Sequence, residues 1–188
     1  LVDKYKKKFD ARHGAGKAEQ VFEAPGKKHQ AKHLDNPYLA AMLEQPKGEK
    51  ITTAALAARL SVSEAALYRH FASKAQMFEG LIDFIEASVF GVINQITDKE
   101  ERGIDQAHAI LQMLLSFAAN NPGMTRVLIG DALVGEDERL QARMNAFYDR
   151  VELACKGALR LAASQGHGSE DDVAARASLL VSYVTGRW

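Results

Sequence analysis

The sequence predicts an all-α protein, and three observations lead to that class. Apolar residues recur at three- and four-residue steps almost continuously from Tyr38 onward. Residues that cap or break helices separate these periodic segments. No segment alternates apolar and polar residues as a half-buried strand does, and no repeat of about 20–50 residues indicates a solenoid. We therefore expect a series of helices that pack on one another.

The first 38 residues form an atypical basic N-terminal segment without sustained periodicity. Glycine and proline interrupt it, and residues 1–33 carry nine Lys and Arg against four Asp and Glu. Such a segment is either a solvated tail or a basic arm that contacts nucleic acid. The apolar stretch "YLAAMLE" (38–44) follows, and "QPKGEK" then breaks the chain.

A helix-turn-helix is predicted in residues 39–78. Thr52 and Thr53 can cap a helix that runs to Leu60, and a three-residue turn precedes a second helix that begins at Ser63. Val62 and Leu67 have the spacing of a hydrophobic staple.

The second helix has one apolar face and one small, polar face. Leu67 and Phe71 lie four residues apart and are expected to face the core. At about 100° per residue, Ala65 and Arg69 point the opposite way, while Ala66 and Tyr68 lie on the flanks of that outward face. Small residues allow close approach to a DNA major groove, and polar groups at the edges can hold phosphates.

Residues 79–188 are predicted to form a larger helical domain. Ser73 caps a long helix whose apolar pattern reaches Ile96, and "TDKEERG", "NNPG", Gly135 and "SQGHGS" separate the helices that follow. Those helices are expected at residues 104–119, 124–134 and 137–163, with a last one that reaches Trp188. The last two carry apolar residues beyond the needs of one core, which favours a two-fold helical interface over a monomer.

Composition and motifs exclude several functional classes. No P-loop, G-x-S-x-G or G-x-G-x-x-G motif occurs, so we expect neither an enzyme nor a cofactor. His29 and His33 lack a third metal ligand with suitable spacing. Cys155 is the only cysteine, and no apolar run reaches the roughly 18 residues of a membrane span. Without a signal peptide, the chain is expected to be cytoplasmic.

The stretch "ITTAALAARLSVSEAALYRHFASKAQMF" (51–78) resembles the helix-turn-helix of the TetR family. The likeness lies in a cap Ser, then Leu-Tyr-x-His-Phe, then a Lys at the start of the next helix. The resemblance implies a homodimer that binds a palindromic DNA site. It also implies that Ala65, Ala66 and Arg69 lie nearest the bases. The DNA backbone would be contacted by Thr52, Thr53, Ser63, Tyr68, His70 and Lys74.

Together with "NNPGMTRVLIGDAL" (121–134), the chain looks like the nucleoid occlusion branch of that family. Members of that branch are understood to bind the division protein FtsZ while on DNA, which would place this protein at the nucleoid. The implied partner groove comprises Phe84, Val92, Met113, Ser116, Asn120 and Asn121. Relatives usually carry arginine at the positions of Val92 and Asn120, and glycine at Ser61.

Two other functions fit the same helical pattern. A TetR-type repressor would bind a small molecule in the C-terminal domain and thereby spread its two DNA-reading helices. A helical protein–protein adaptor would bind no DNA at all. A cavity lined by apolar groups and a few polar ones would favour the repressor, and DNA affinity that falls with salt would exclude the adaptor.

Overall fold

The computed structural model describes residues 52–59 and 63–188. These residues form seven α-helices, one 3₁₀ turn and no strand, which confirms the all-α class. The helices are α1 (Thr53–Arg59), α2 (Glu64–His70), α3 (Lys74–Lys99), α4 (Gly103–Asn120), α5 (Pro122–Leu128), α6 (Glu138–Ser164) and α7 (Val173–Arg187); the 3₁₀ turn is Asp131–Leu133. The basic segment 1–38, the stretch 38–44 and the turn at 60–62 lie outside the described residues.

Side-chain caps fix four of the helix starts. The hydroxyls of Thr52, Ser63 and Ser73 each accept a hydrogen bond from the backbone N–H three residues later, at 3.1–3.2 Å. The Asp137 carboxylate accepts one from the N–H two residues on, at 3.1 Å. Each cap satisfies a backbone donor that the helix itself leaves unpaired, which contributes about 1 kcal/mol. The expected starts at these positions are therefore confirmed.

One expected helix is wrong in its bounds. The segment 124–134 does not form a single helix, because α5 ends at Leu128 and Gly130 adopts a φ of 80°. That left-handed conformation ends a right-handed helix, and the chain continues in the 3₁₀ turn. Pro122 lies in the first turn of α5, where it needs no N–H partner, so "NNPG" starts this helix as well as ending α4.

The chain divides into two compact units. Among the described residues, the first unit comprises 52–59, 63–91 and Val134–Glu136. Its core is built from the inward faces of α1, α2 and the first part of α3. Its fully buried large side chains are Leu56, Leu67, Met77, Phe78, Leu81, Ile82 and Ile85.

The second unit comprises Val92–Leu133 and Asp137–Trp188. In it, α6 packs against both α4 and α7. Gly103 allows the closest approach, because a Cβ atom there would overlap the backbone of Ala158 and Ala162 on α6. The buried Gln106 amide donates to the carbonyls of Thr97 and Glu100, at 3.2 and 2.7 Å, and so holds the start of α4 to the end of α3.

Candidate nucleic-acid interface

The apolar face of α2 anchors the candidate interface. Leu56 of α1 and Leu67 of α2 are fully buried, and Phe71 is only 7% exposed. The Ser63 cap fixes where α2 begins, and the Phe71 N–H donates to the Leu67 carbonyl where it ends. The inward face expected from the four-residue spacing is therefore confirmed, and it determines which side of α2 faces solvent.

The opposite face of α2 is exposed. Ala65 and Arg69 lie at exposed positions, Ala66 is half-buried, and the Tyr68 side chain is 47% exposed. The two alanines leave the backbone open to close approach, while Arg69 and Tyr68 carry donors one turn further along. The side chain of His70, the last residue of α2, lies outside the described residues.

Thr53 connects the starts of α1 and α2. Its hydroxyl donates to a carboxylate oxygen of Glu64 at 2.6 Å. The sequence did not reveal this contact, because no local pattern relates residues eleven positions apart. Thr52 and Ser63, by contrast, use their hydroxyls as helix caps.

Lys74 is bound within the first unit. Its ammonium group forms an ion pair with the carboxylate of Glu136, and Nζ lies 5.7 Å from the centre of the Phe78 ring. The side chains of Lys74 and Glu136 are only 19% and 10% exposed. Sequence reasoning missed Glu136, since 62 positions separate the two residues and no motif relates them.

The expected partner-binding residues fall into separate groups. Met113, Ser116 and Asn120 lie on one face of α4, and Asn121 directly follows that helix. Ser116 is exposed, and its carbonyl accepts a hydrogen bond from the Asn120 amide at 2.6 Å. Val92, half-buried, belongs to the second unit as α4 does. Phe84 belongs to the first unit and is only 9% exposed, so it offers a partner little surface.

The large apolar side chains of the last two helices are divided between buried and exposed positions. Leu140, Met144, Phe147, Val151, Leu159, Val173 and Val184 are all buried within one chain. Leu179 and Tyr183 of α7 remain 68% and 52% exposed, and Leu153 of α6 is 62% exposed. These three are the large apolar side chains that one chain leaves exposed on α6 and α7.

The described residues contain little reactive chemistry. They hold no group of three or more His, Cys, Asp or Glu side chains that could bind a metal ion. Burial, together with the charge of Glu152, raises the pKa of the Cys155 thiol to about 11, so the reactive thiolate is scarce at neutral pH. None of the helices from α1 to α7 combines the length and apolarity needed to cross a membrane.

Two family models match this chain, one mainly in each unit. Residues 48–81 match the family model of bacterial regulatory proteins of the tetR family. Residues 102–188 match an SlmA-like model described as a tetracyclin repressor-like, C-terminal domain. The first match contains α1, α2 and the start of α3, and the second contains α4 to α7.

Individual relatives are similar over most of the chain. The nucleoid occlusion factor SlmA of Idiomarina loihiensis is 53% identical over 150 residues, which are 79% of this chain and 76% of that protein. SlmA of Shewanella pealeana is 51% identical over the same shares of the two chains. SlmA of Colwellia psychrerythraea is 49% identical over 164 residues, 87% of this chain and 81% of that protein. With its helix-turn-helix and helical C-terminal unit, the chain belongs to the SlmA family of nucleoid occlusion factors, within the wider TetR family.

Proposed function

We propose that this chain binds a palindromic DNA site as a homodimer and, while bound, keeps FtsZ rings from assembling over the chromosome. The observation that carries the proposal is the exposed face of α2, which bears Ala65, Ala66, Tyr68 and Arg69. The opposite face of this helix is anchored in the core by Leu67 and Phe71. The protein would then act at the nucleoid, in the cytoplasm.

Base recognition is assigned to the N-terminal half of α2. A recognition helix enters the major groove with its first residues nearest the base edges. Ala65 and Ala66 can contact thymine methyl groups, and the Arg69 guanidinium can donate two hydrogen bonds to a guanine. These side chains lie on the exposed or half-exposed side of α2, so no rearrangement of the core is needed.

Backbone contacts are assigned to residues around that face. Tyr68 is exposed beside Arg69, and Thr52, Thr53 and Ser63 lie at the starts of α1 and α2. The hydroxyls of Thr52 and Ser63 accept their cap bonds and can still donate to phosphate oxygens, which sets the register without reading the sequence. The Thr53 hydroxyl has one proton to donate, so it would have to release Glu64 to contact a phosphate. His70 and Lys74 complete the proposed set.

The homodimer is supported by the uncovered apolar residues of α6 and α7. Leu179 and Tyr183 are four residues apart and share one face of α7, and Leu153 is exposed on α6. Large apolar side chains that share an exposed helix face, as Leu179 and Tyr183 do, are typical of association sites. A two-fold pairing would present two copies of α2 to DNA, and this symmetry is what a palindromic site requires.

The FtsZ contact is assigned to the face of α4 that carries Met113, Ser116 and Asn120. This face mixes one flexible apolar side chain with two small polar ones. Val92 and Asn121 extend the proposed set, while Phe84 is only 9% exposed and would offer a partner little surface.

The test measures duplex binding and FtsZ capture by the same protein. Binding to a pool of random duplexes, followed by recovery and sequencing, should enrich a palindrome, and affinity should fall steeply as salt increases. FtsZ should co-sediment with the protein only when the enriched duplex is present. Replacement of Ser116 by arginine should reduce this co-sedimentation and leave DNA affinity unchanged. A protein that ignores duplex DNA even at low salt would contradict the proposal.

A further inference from the structure

Lys74 is held on two sides in this structure. Its ammonium group is paired with the Glu136 carboxylate and lies over the Phe78 ring, and its side chain is 19% exposed. Glu136 is more deeply buried than Lys74, at 10% exposed. A lysine engaged in this way cannot offer its full charge to an incoming phosphate.

Glu136 comes from an unusual place in the chain. The three-residue segment Val134–Glu136 belongs to the first unit, although the residues before and after it along the chain belong to the second. Val134 is 74% exposed and Gly135 adopts a φ of 74°. The segment therefore contains little buried apolar surface of its own, and the Glu136–Lys74 ion pair joins it to the start of α3.

A DNA phosphate and the Glu136 carboxylate require the same cation. Both are anions, and an ammonium group that held both would bring two negative charges within a few ångströms of each other. Since Glu136 is largely buried, water screens that repulsion less than it would at an open surface. The Glu136 carboxylate therefore weakens a contact between Lys74 and a DNA phosphate.

We infer that Glu136 sets the DNA affinity of this chain by competing with DNA phosphate for Lys74. The inference rests on the proposed phosphate contact of Lys74 and adds a residue outside the helix-turn-helix to the control of that contact. When DNA takes Lys74, the segment Val134–Glu136 loses its ionic partner. By thermodynamic linkage, an interaction that stabilises the segment Val134–Glu136 in its present position weakens DNA binding by an equal free energy.

The test is a double-mutant cycle on duplex affinity. Glu136→Gln keeps the size of the side chain and removes its charge. It should tighten binding to every duplex about three- to tenfold, without a change in sequence preference. Lys74→Gln should weaken binding to every duplex, and in that background Glu136→Gln should have no further effect. Glu138→Gln is the matched control, because it removes an exposed negative charge two residues away.

Three results would overturn the inference. In the first, Glu136→Gln has no more effect than Glu138→Gln. In the second, its effect is unchanged in the Lys74→Gln background. In the third, it leaves amide exchange of residues 134–137 in the free protein unchanged, since loss of the pair should speed that exchange. If the unmodified chain binds no duplex, the proposed function fails together with this inference. Duplex binding without the coupling overturns the inference alone. Urea denaturation shows that each variant remains folded.

Discussion

Arg69 is the one long basic side chain on the exposed face of α2 among the described side chains of that helix, a turn beyond the two alanines. Its position follows from Leu67 and Phe71, because burial of those two side chains leaves only one rotation of α2 about its axis. The exposure of Arg69 is therefore determined by apolar neighbours that lie in the core and not on the proposed DNA-binding face. Packing likewise determines how closely α4 approaches α6 at Gly103 and why the pKa values of Tyr148 and Cys155 are raised.

Replacing Arg69 with alanine should change sequence preference. If the guanidinium reads a base, discrimination at one position of each half-site should fall by about 1–3 kcal/mol, while affinity for unrelated sequences falls less. Competition binding with single-position variants of the enriched palindrome measures this effect. Arg160→Ala, an exposed arginine on α6, is the control for loss of charge alone. An unchanged preference would mean that Arg69 does not read a base.

Replacing Gly103 with alanine should destabilise the second unit. The new Cβ atom would lie 2.7 Å from the Leu161 carbonyl carbon and closer still to neighbouring backbone atoms, so α4 and α6 must move apart. We expect a loss of about 1–3 kcal/mol in the free energy of unfolding by urea. Gly157→Ala is the control, since no atom lies within 4 Å of its added Cβ and the helix should gain stability. Equal effects of the two changes would contradict the close packing.

Stability should fall at high pH because two buried groups hold their protons more tightly when folded. Burial raises the pKa of Tyr148 from 10.0 to about 12 against a smaller opposite effect of Thr185, and that of Cys155 from 9.0 to about 11. The folded state binds more protons in these windows, so stability is full below pH 9 and falls between pH 9 and 12. Urea midpoints across this range measure the loss. Cys155→Ala should reduce the loss of stability in the lower part of this pH range, and Tyr148→Phe should reduce it in the upper part.

At the scale of elements, caps and breakers decide where each helix begins and ends. Ser63 and Asp137 start α2 and α6 by accepting backbone N–H bonds, and Gly130 ends the region of α5 with its positive φ. The spacing of apolar residues predicts that a helix is present, but the same spacing can continue past a glycine at which the backbone φ changes and the helix ends. The helix expected at 124–134 was wrong for this reason. The buried Arg126 pairs with Asp131 at 2.7 Å and holds the 3₁₀ turn that replaces its second half.

Replacing Ser63 with alanine should weaken α2 and its DNA contact together. Loss of the 3.2 Å bond to the Ala66 N–H leaves that donor without its cap, which costs about 1 kcal/mol of stability. A frayed start would also misplace Ala65, so duplex affinity should fall for all sequences. Thermal unfolding and duplex titration measure the two effects. Ser164→Ala, at the end of α6, should change neither, and a Ser63→Ala variant equal to it would exclude the capping role.

At the scale of the whole molecule, association and regulation depend on surfaces that no single helix reveals. Many of the apolar residues on α6 are buried within one chain, and Leu153, Leu179 and Tyr183 are the large exposed ones on α6 and α7. The proposed dimer therefore depends on these exposed side chains. Control of Lys74 by Glu136 likewise arises from a contact between residues far apart in the sequence.

Replacing Leu179 with glutamate should disrupt the dimer. The change introduces a charge into apolar surface that a partner copy is proposed to cover, and an unpaired buried charge is unfavourable. Sedimentation should show a monomer, and affinity for the palindrome should fall far more than affinity for one half-site. Ala174→Glu, at an exposed position roughly 140° away around α7, is the matched control. A Leu179→Glu protein that remains dimeric would place the interface elsewhere.

The sequence by itself determined the all-α class, the caps at Thr52, Ser63 and Ser73, and the inward and outward faces of α2. These features depend on side chains within a few residues of one another, and local spacing records them. Only the tertiary structure decided that Phe84 is buried, that Thr53 donates a hydrogen bond to Glu64 and that Lys74 forms an ion pair with Glu136. Each of these depends on which distant segments share a space, and that arrangement follows from packing of the whole chain rather than from any periodic pattern.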